Sequence, residues 1–192
     1  MLVRTFDPSL EIGIGGYGRV YRGNISVGKT VVEATFKRLN SVVVKEEHVN
    51  AFWPEIHMDE KVLVSEFVAN GSLSDHLHIR GTLLSWNPRL RILITAARGL
   101  VHLHECFSDE SGQLRRKSDV YSFGVVLLEV LSRKRVLNDP LKSLVDPAFL
   151  EEISPGALKK YIKLAQSCIR FERDMRPTMA VVAVKLELVF VK

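Results

Sequence analysis

Four glycines fall within six residues, Gly13-Ile-Gly15-Gly-Tyr-Gly18, and Arg19-Val-Tyr-Arg22 follows at once. Glycines so spaced let a backbone come within hydrogen-bond distance of phosphates, where a Cβ would clash. A dinucleotide-binding fold needs a helix to begin at the last of them. The residues after Gly18 read as a strand, so the expected unit is strand, glycine turn, strand.

Short β-branched runs continue in this manner: Arg19–Arg22, Thr30–Phe36 and Lys61–Val64 read as strands. Near residue 70 the pattern changes to helical periodicity. Asn87 and Pro88 suit an N-cap and a first helical position, and Leu90, Leu93, Ile94, Ala97, Leu100 and Val101 predict a helix from Pro88 to His104. Asp119 to Leu131 is apolar almost all round, which predicts a buried helix. Ser154-Pro155 opens a third, with Leu158, Ile162, Ala165 and Ile169 in register. Thr178 suits a cap for a last helix, but Val181, Val182, Val184 and Val189 leave strand open as an alternative. A strand-rich part followed by a helical part is an α+β arrangement, with the boundary at Asn70-Gly71.

Composition narrows the class. With 192 residues, 46% hydrophobic and 26% charged, the chain is neither disordered nor fibrous. No window reaches the roughly 18 apolar residues of a membrane helix, and the start has no signal-peptide pattern; as given, the chain reads as soluble and cytoplasmic. Net charge is +5, yet the densest basic cluster, Arg115-Arg116-Lys117, has no interleaved aromatics, which argues against nucleic acid. Cys106 and Cys168 read as small buried or half-buried thiols with no metal or disulfide pattern.

Two phosphate-binding readings compete. Gly23-Asn-Ile-Ser-Val-Gly-Lys-Thr30 matches the P-loop pattern of an NTPase, with Lys29 on the phosphates and Thr30 on magnesium. That pattern needs a helix after it, and Val31-Val32 and Thr35-Phe36 argue strand. The other reading starts from Ala34-Thr-Phe-Lys37, nineteen residues past Gly18. A lysine at the end of an apolar strand under a glycine flap can reach nucleotide phosphates, and Glu55 stands at a distance suited to orient it. A plain solvated lysine is the alternative at that position.

Several stretches together resemble a plant receptor-like serine/threonine kinase domain, most like the group with malectin-like ectodomains. They are Phe6–Gly23, Leu84-Ser-Trp-Asn-Pro-Arg-Leu90, Ala96–Leu100, Lys117-Ser-Asp-Val-Tyr-Ser-Phe-Gly124 and on to Glu129, Leu144-Val-Asp-Pro147, and Arg176-Pro-Thr-Met179. The resemblance implies an incomplete protein-kinase-like two-lobed fold, with a small β-rich lobe over residues 1–69 and a helical lobe remnant over 70–192. It implies ATP as ligand. Ile12, Gly13, Gly15, Gly16, Gly18 and Val20 would cover the nucleotide. Thr35 would stand under the adenine in place of the usual alanine and so weaken binding. Lys37 would contact phosphates, Glu55 would orient Lys37, and the backbone of Glu66 and Val68 would hold the adenine, with Ser65 as gatekeeper. It also implies a cytosolic domain of a plasma-membrane protein.

The His-Arg-Asp, Asp-Phe-Gly and Ala-Pro-Glu motifs of such kinases are missing. Only twelve residues separate His104 from Lys117, and a second gap lies between Glu55 and Val62. Neither a catalytic aspartate nor a magnesium ligand is left, so catalytic and metal-binding residues are none and phosphate transfer is expected to be lost. By the resemblance, Asp119 is left without a catalytic loop to hold and Arg176 without its glutamate, which predicts unpaired charge and a marginally stable helical lobe. A pseudokinase that docks on a full-length kinase or its protein partners, a non-enzymatic interaction module, and a truncated product all fit these residues.

Overall fold

The glycine run folds as a hairpin. In the computed structural model, which describes residues 6–40, 62–78, 84–106, 112–132, 145–149 and 151–190, β1 (Glu11–Gly15) and β2 (Gly18–Val27) pair antiparallel about Gly16-Tyr17. A second two-residue turn, with Gly28 at φ +63°, leads into β3 (Thr30–Leu39), and β4 (Val62–Glu66) pairs antiparallel with β3. The sheet order is β1-β2-β3-β4. Because Thr30 opens a strand and not a helix, Gly23–Thr30 is the turn region of a hairpin. The P-loop NTPase reading is therefore overturned.

Alternation divides the sheet into two faces. Tyr21, Ala34 and Phe36 are buried on one, packed with Phe6, Ile25 and Val62; the rings of Phe6 and Tyr21 meet edge to face at 5.3 Å. Before β1, Asp7 caps the turn Pro8–Leu10. Hydrogen bonds from the Ser9 hydroxyl and amide hold the Asp7 carboxyl below its ordinary range.

The chain divides into two compact units, residues 1–71 and 72–192. The second begins with Ser72 capping α1 (Leu73–His78), where Ser72 and Asp75 exchange hydrogen bonds reciprocally. Four more helices follow: α2 (Trp86–Cys106), α3 (Gly112–Ser132), α4 (Pro155–Cys168) and α5 (Met179–Phe190). Their core joins Leu90, Leu93 and Ala97 of α2, Leu127 and Leu131 of α3, Tyr161 and Leu164 of α4, and Val182 and Leu186 of α5.

Several boundaries differ from expectation for identifiable reasons. α2 starts at Trp86, ahead of Asn87, because the Glu152 carboxylate accepts from the Trp86 amide at 2.6 Å and so supplies the cap from another part of the chain. α3 begins at Gly112 rather than Asp119, through Gln113-Leu-Arg-Arg-Lys117, all good helix formers. On α4, Ser154 caps as expected, but the deepest residues are Tyr161, Leu164, Ala165 and Cys168. The valine-rich segment after Thr178 is helix, with the Thr178 hydroxyl accepting from the Val181 amide. Cys168 is buried and Cys106 is fully exposed, not half-buried.

Candidate nucleotide-binding site

Strand register brings the first unit's candidate residues together. Val20 lies opposite Lys37, and Lys37 opposite Leu63; Thr35 lies opposite Ser65. Opposed residues share a face, as do residues two apart on a strand. Val20, Thr35, Lys37 and Ser65 therefore stand on one face, away from the Tyr21 and Phe36 core. A groove of about 620 Å³ lined by Ile25, Val32, Ala34 and Val64 lies mainly on the other face.

The glycine hairpin closes the end of this face nearest Lys37. Gly18 pairs with Leu39 at φ +150°, and a Cβ there would lie 2.0 Å from the Arg38 carbonyl oxygen, so only glycine fits. Gly13 and Gly16 face open space, and the nearest atom to a Cβ on Gly15 is 4.0 Å away. Ile12 stands at the register shift between Glu11 and Gly13 and is exposed. Tyr17, at the tip, sets its ring 5.8 Å from the Lys37 ammonium.

At the far end, Phe67 donates its amide to the Glu33 carbonyl at 3.4 Å. In an antiparallel ladder the neighbouring Glu66 then directs its own N–H and C=O away from β3. The Val68 carbonyl accepts from Gly71, which closes a turn, and the Val68 side chain is exposed. Arg22 and Glu33 pair at 2.6 Å, and the Arg22 guanidinium lies 4.4 Å from the centre of the Phe67 ring. Glu55 lies outside the described residues.

The second unit shows how the chain accommodates its missing motifs. His104 Nε2 and Asp119 Oδ2 meet at 2.9 Å. Arg176 is buried and donates to three carbonyls, Arg170 at 2.8 Å, Lys117 at 2.9 Å and Phe171 at 3.4 Å, with its guanidinium 4.8 Å from the Tyr121 ring centre. Lys117 returns the bond by donating to the Arg176 carbonyl, and to that of Asp174. The expectation of unpaired charge at Asp119 and Arg176 is thus corrected: a neighbouring histidine serves one and backbone oxygens serve the other. These partners were not visible in the sequence, because main-chain acceptors leave no residue-type signal.

Residues 104–186 match the family described as protein tyrosine and serine/threonine kinase. The receptor-like protein kinase FERONIA of Arabidopsis thaliana is 28% identical over 279 aligned positions, covering 96% of this chain and 31% of FERONIA. The PTI1-like tyrosine-protein kinase 3 of the same plant is 29% identical, covering 95% of this chain and 69% of that protein. This chain is a relative of the plant receptor-like protein kinases. It spans about a third of the length of FERONIA. The alignment runs over 279 positions while the chain has 192 residues, so the relative holds segments with no counterpart here.

Solved structures agree on the fold. A pseudokinase in its apo form superposes with a TM-score of 0.71 at 20% identity, covering 96% of this chain and 89% of that one. The drought responsive inactive kinase 1, bound to ENMD-2076, gives 0.72 at 21% identity, covering 96% and 91%. The fold is kinase-like, with a small antiparallel sheet and a helical portion. Among the described residues no helix is long and apolar enough to cross a membrane.

Proposed function

We propose that this chain binds ATP on the Lys37 face of its sheet and does not transfer the γ-phosphate. The observation that carries the reading is the register: Val20, Thr35 and Lys37 share one face, with the glycine hairpin over one end and the outward-pointing backbone of Glu66 at the other. ATP fits this donor set. Lys37 supplies a cation for the phosphates, the open backbone of Gly13, Gly15 and Gly16 supplies amides, Val20 and Ile12 supply apolar cover, and Glu66 and Val68 supply main-chain groups for the base. Glu55 orients Lys37. Magnesium does not fit, since the loop asparagine and the Asp-Phe-Gly aspartate are absent from the sequence. Two divalent charges that neutralise the transferring phosphoryl group are worth several kcal/mol in such enzymes, and one ammonium is no substitute.

The role is that of a pseudokinase acting on the cytosolic side, where it engages a full-length kinase or that kinase's partners. Purified protein with radiolabelled ATP, magnesium and a generic serine/threonine substrate is expected to give no transfer above background, while ATP raises the melting temperature of the parent and not of Lys37→Ala. Lys37-dependent turnover, or an equal shift in both proteins, overturns the reading.

A further inference from the structure

The Tyr17 ring occupies the approach to the one cation on the candidate face that nucleotide phosphates would use, and this deepens, and rests on, the ATP reading above. The placement is built in by the backbone. The Asn40 amide donates to the Tyr17 carbonyl at 3.0 Å, tying the hairpin tip to the end of β3 three residues beyond Lys37. Gly18, the next residue, lies flat on the Arg38 carbonyl, where a Cβ would be 2.0 Å away. Between these two anchors the Tyr17 side chain, 64% exposed, sets its ring 5.8 Å from the Lys37 ammonium. Among the described residues no carboxylate forms an ion pair with Lys37. The negative face of an aromatic ring attracts an ammonium, so the phenol ring stands where a phosphate oxygen would.

We propose that Tyr17 is a self-contained competitor for the phosphate chain: the ring holds Lys37 in the nucleotide-free state, and a polyphosphate must displace it. The ligand class selected against is anionic, whereas the uncharged nucleoside does not compete for Lys37 and is unaffected. An exposed cation–π contact implies that removing the ring tightens phosphate binding by about two- to five-fold.

Calorimetric titrations of ATP and of adenosine into the parent, Tyr17→Ala and Tyr17→Phe test this. Tyr17→Ala is expected to bind ATP about two- to five-fold more tightly than the parent, Tyr17→Phe to match the parent because the ring remains, and adenosine to bind all three alike. If the parent binds ATP through Lys37 but Tyr17→Ala shows no gain, or gains equally for adenosine, the competitor role is wrong and the ATP reading stands. If neither the parent nor Tyr17→Ala binds ATP, both are wrong.

Discussion

Gly18 shows how much a single residue decides. Its φ of +150° and the Arg38 carbonyl 2.0 Å from a would-be Cβ leave no room for alanine. Gly18→Ala is expected to cost about 2–4 kcal/mol through backbone strain and displaced β3, read as a lower urea midpoint, whereas Gly16→Ala, facing open space, costs under about 1 kcal/mol. The cysteines divide equally sharply. Burial pushes the Cys168 thiol up to about 11, so about one molecule in a thousand carries the thiolate at pH 8. Cys106 is exposed. A maleimide is expected to label Cys106 in the folded protein within minutes and Cys168 only after unfolding; rapid double labelling contradicts this. Sequence alone marked the glycines, because spacing and the strand after them restrict the choice. It did not mark which glycine is obligatory, since that depends on β3 crossing at Arg38, a contact between distant residues.

Helices and strands were legible where periodicity was long and obscure where a cap came from elsewhere. The start of α2 depends on Glu152, 66 residues away, and no local pattern could announce it. Register, by contrast, followed from the alternation in β2 and β3, which is why Lys37 and Val20 were brought together as read. Crossing helices add a constraint hidden in sequence: a Cβ on Gly124 of α3 would meet Cys168 Cβ at 2.6 Å and Ile169 Cγ2 at 2.8 Å on the α4 side. Gly124→Ala is expected to destabilise the helical unit by about 1–3 kcal/mol, checked by chemical denaturation. That same contact region sets the alkaline limit. Burial raises both Tyr161 and Cys168 above their ordinary values. The unfolded chain therefore releases these protons first, and stability falls as pH climbs from about 9 towards 11, by up to about 1.4 kcal/mol per unit for each group. Cys168→Ala is expected to flatten the urea midpoint over that window; an unchanged slope rules the thiol out as its source.

For the whole molecule, the question is what survives when a kinase-like chain lacks its catalytic and activation segments. The helical unit retains a connected core and reuses its leftover charges: His104 pairs with Asp119, and Arg176 spans three carbonyls. Arg176→Met strips donors from those buried carbonyls and is expected to cost about 2–3 kcal/mol, more than a surface arginine would. The sheet unit retains every described residue of the candidate site on one face or along one edge. The missing motifs were plain in the sequence because absence of a short, spaced pattern needs no structure to see. The repairs were not, because they are made by main-chain oxygens and by a histidine whose partner is set by how α2 meets α3. The central claim is a nucleotide cradle without metal-dependent chemistry, and calorimetric titration of ATP in magnesium and again in excess EDTA, with Lys37→Ala alongside, tests it most directly. Binding of equal strength with and without the metal, abolished by Lys37→Ala, is the expected result; binding that requires magnesium, or that ignores Lys37, contradicts the account.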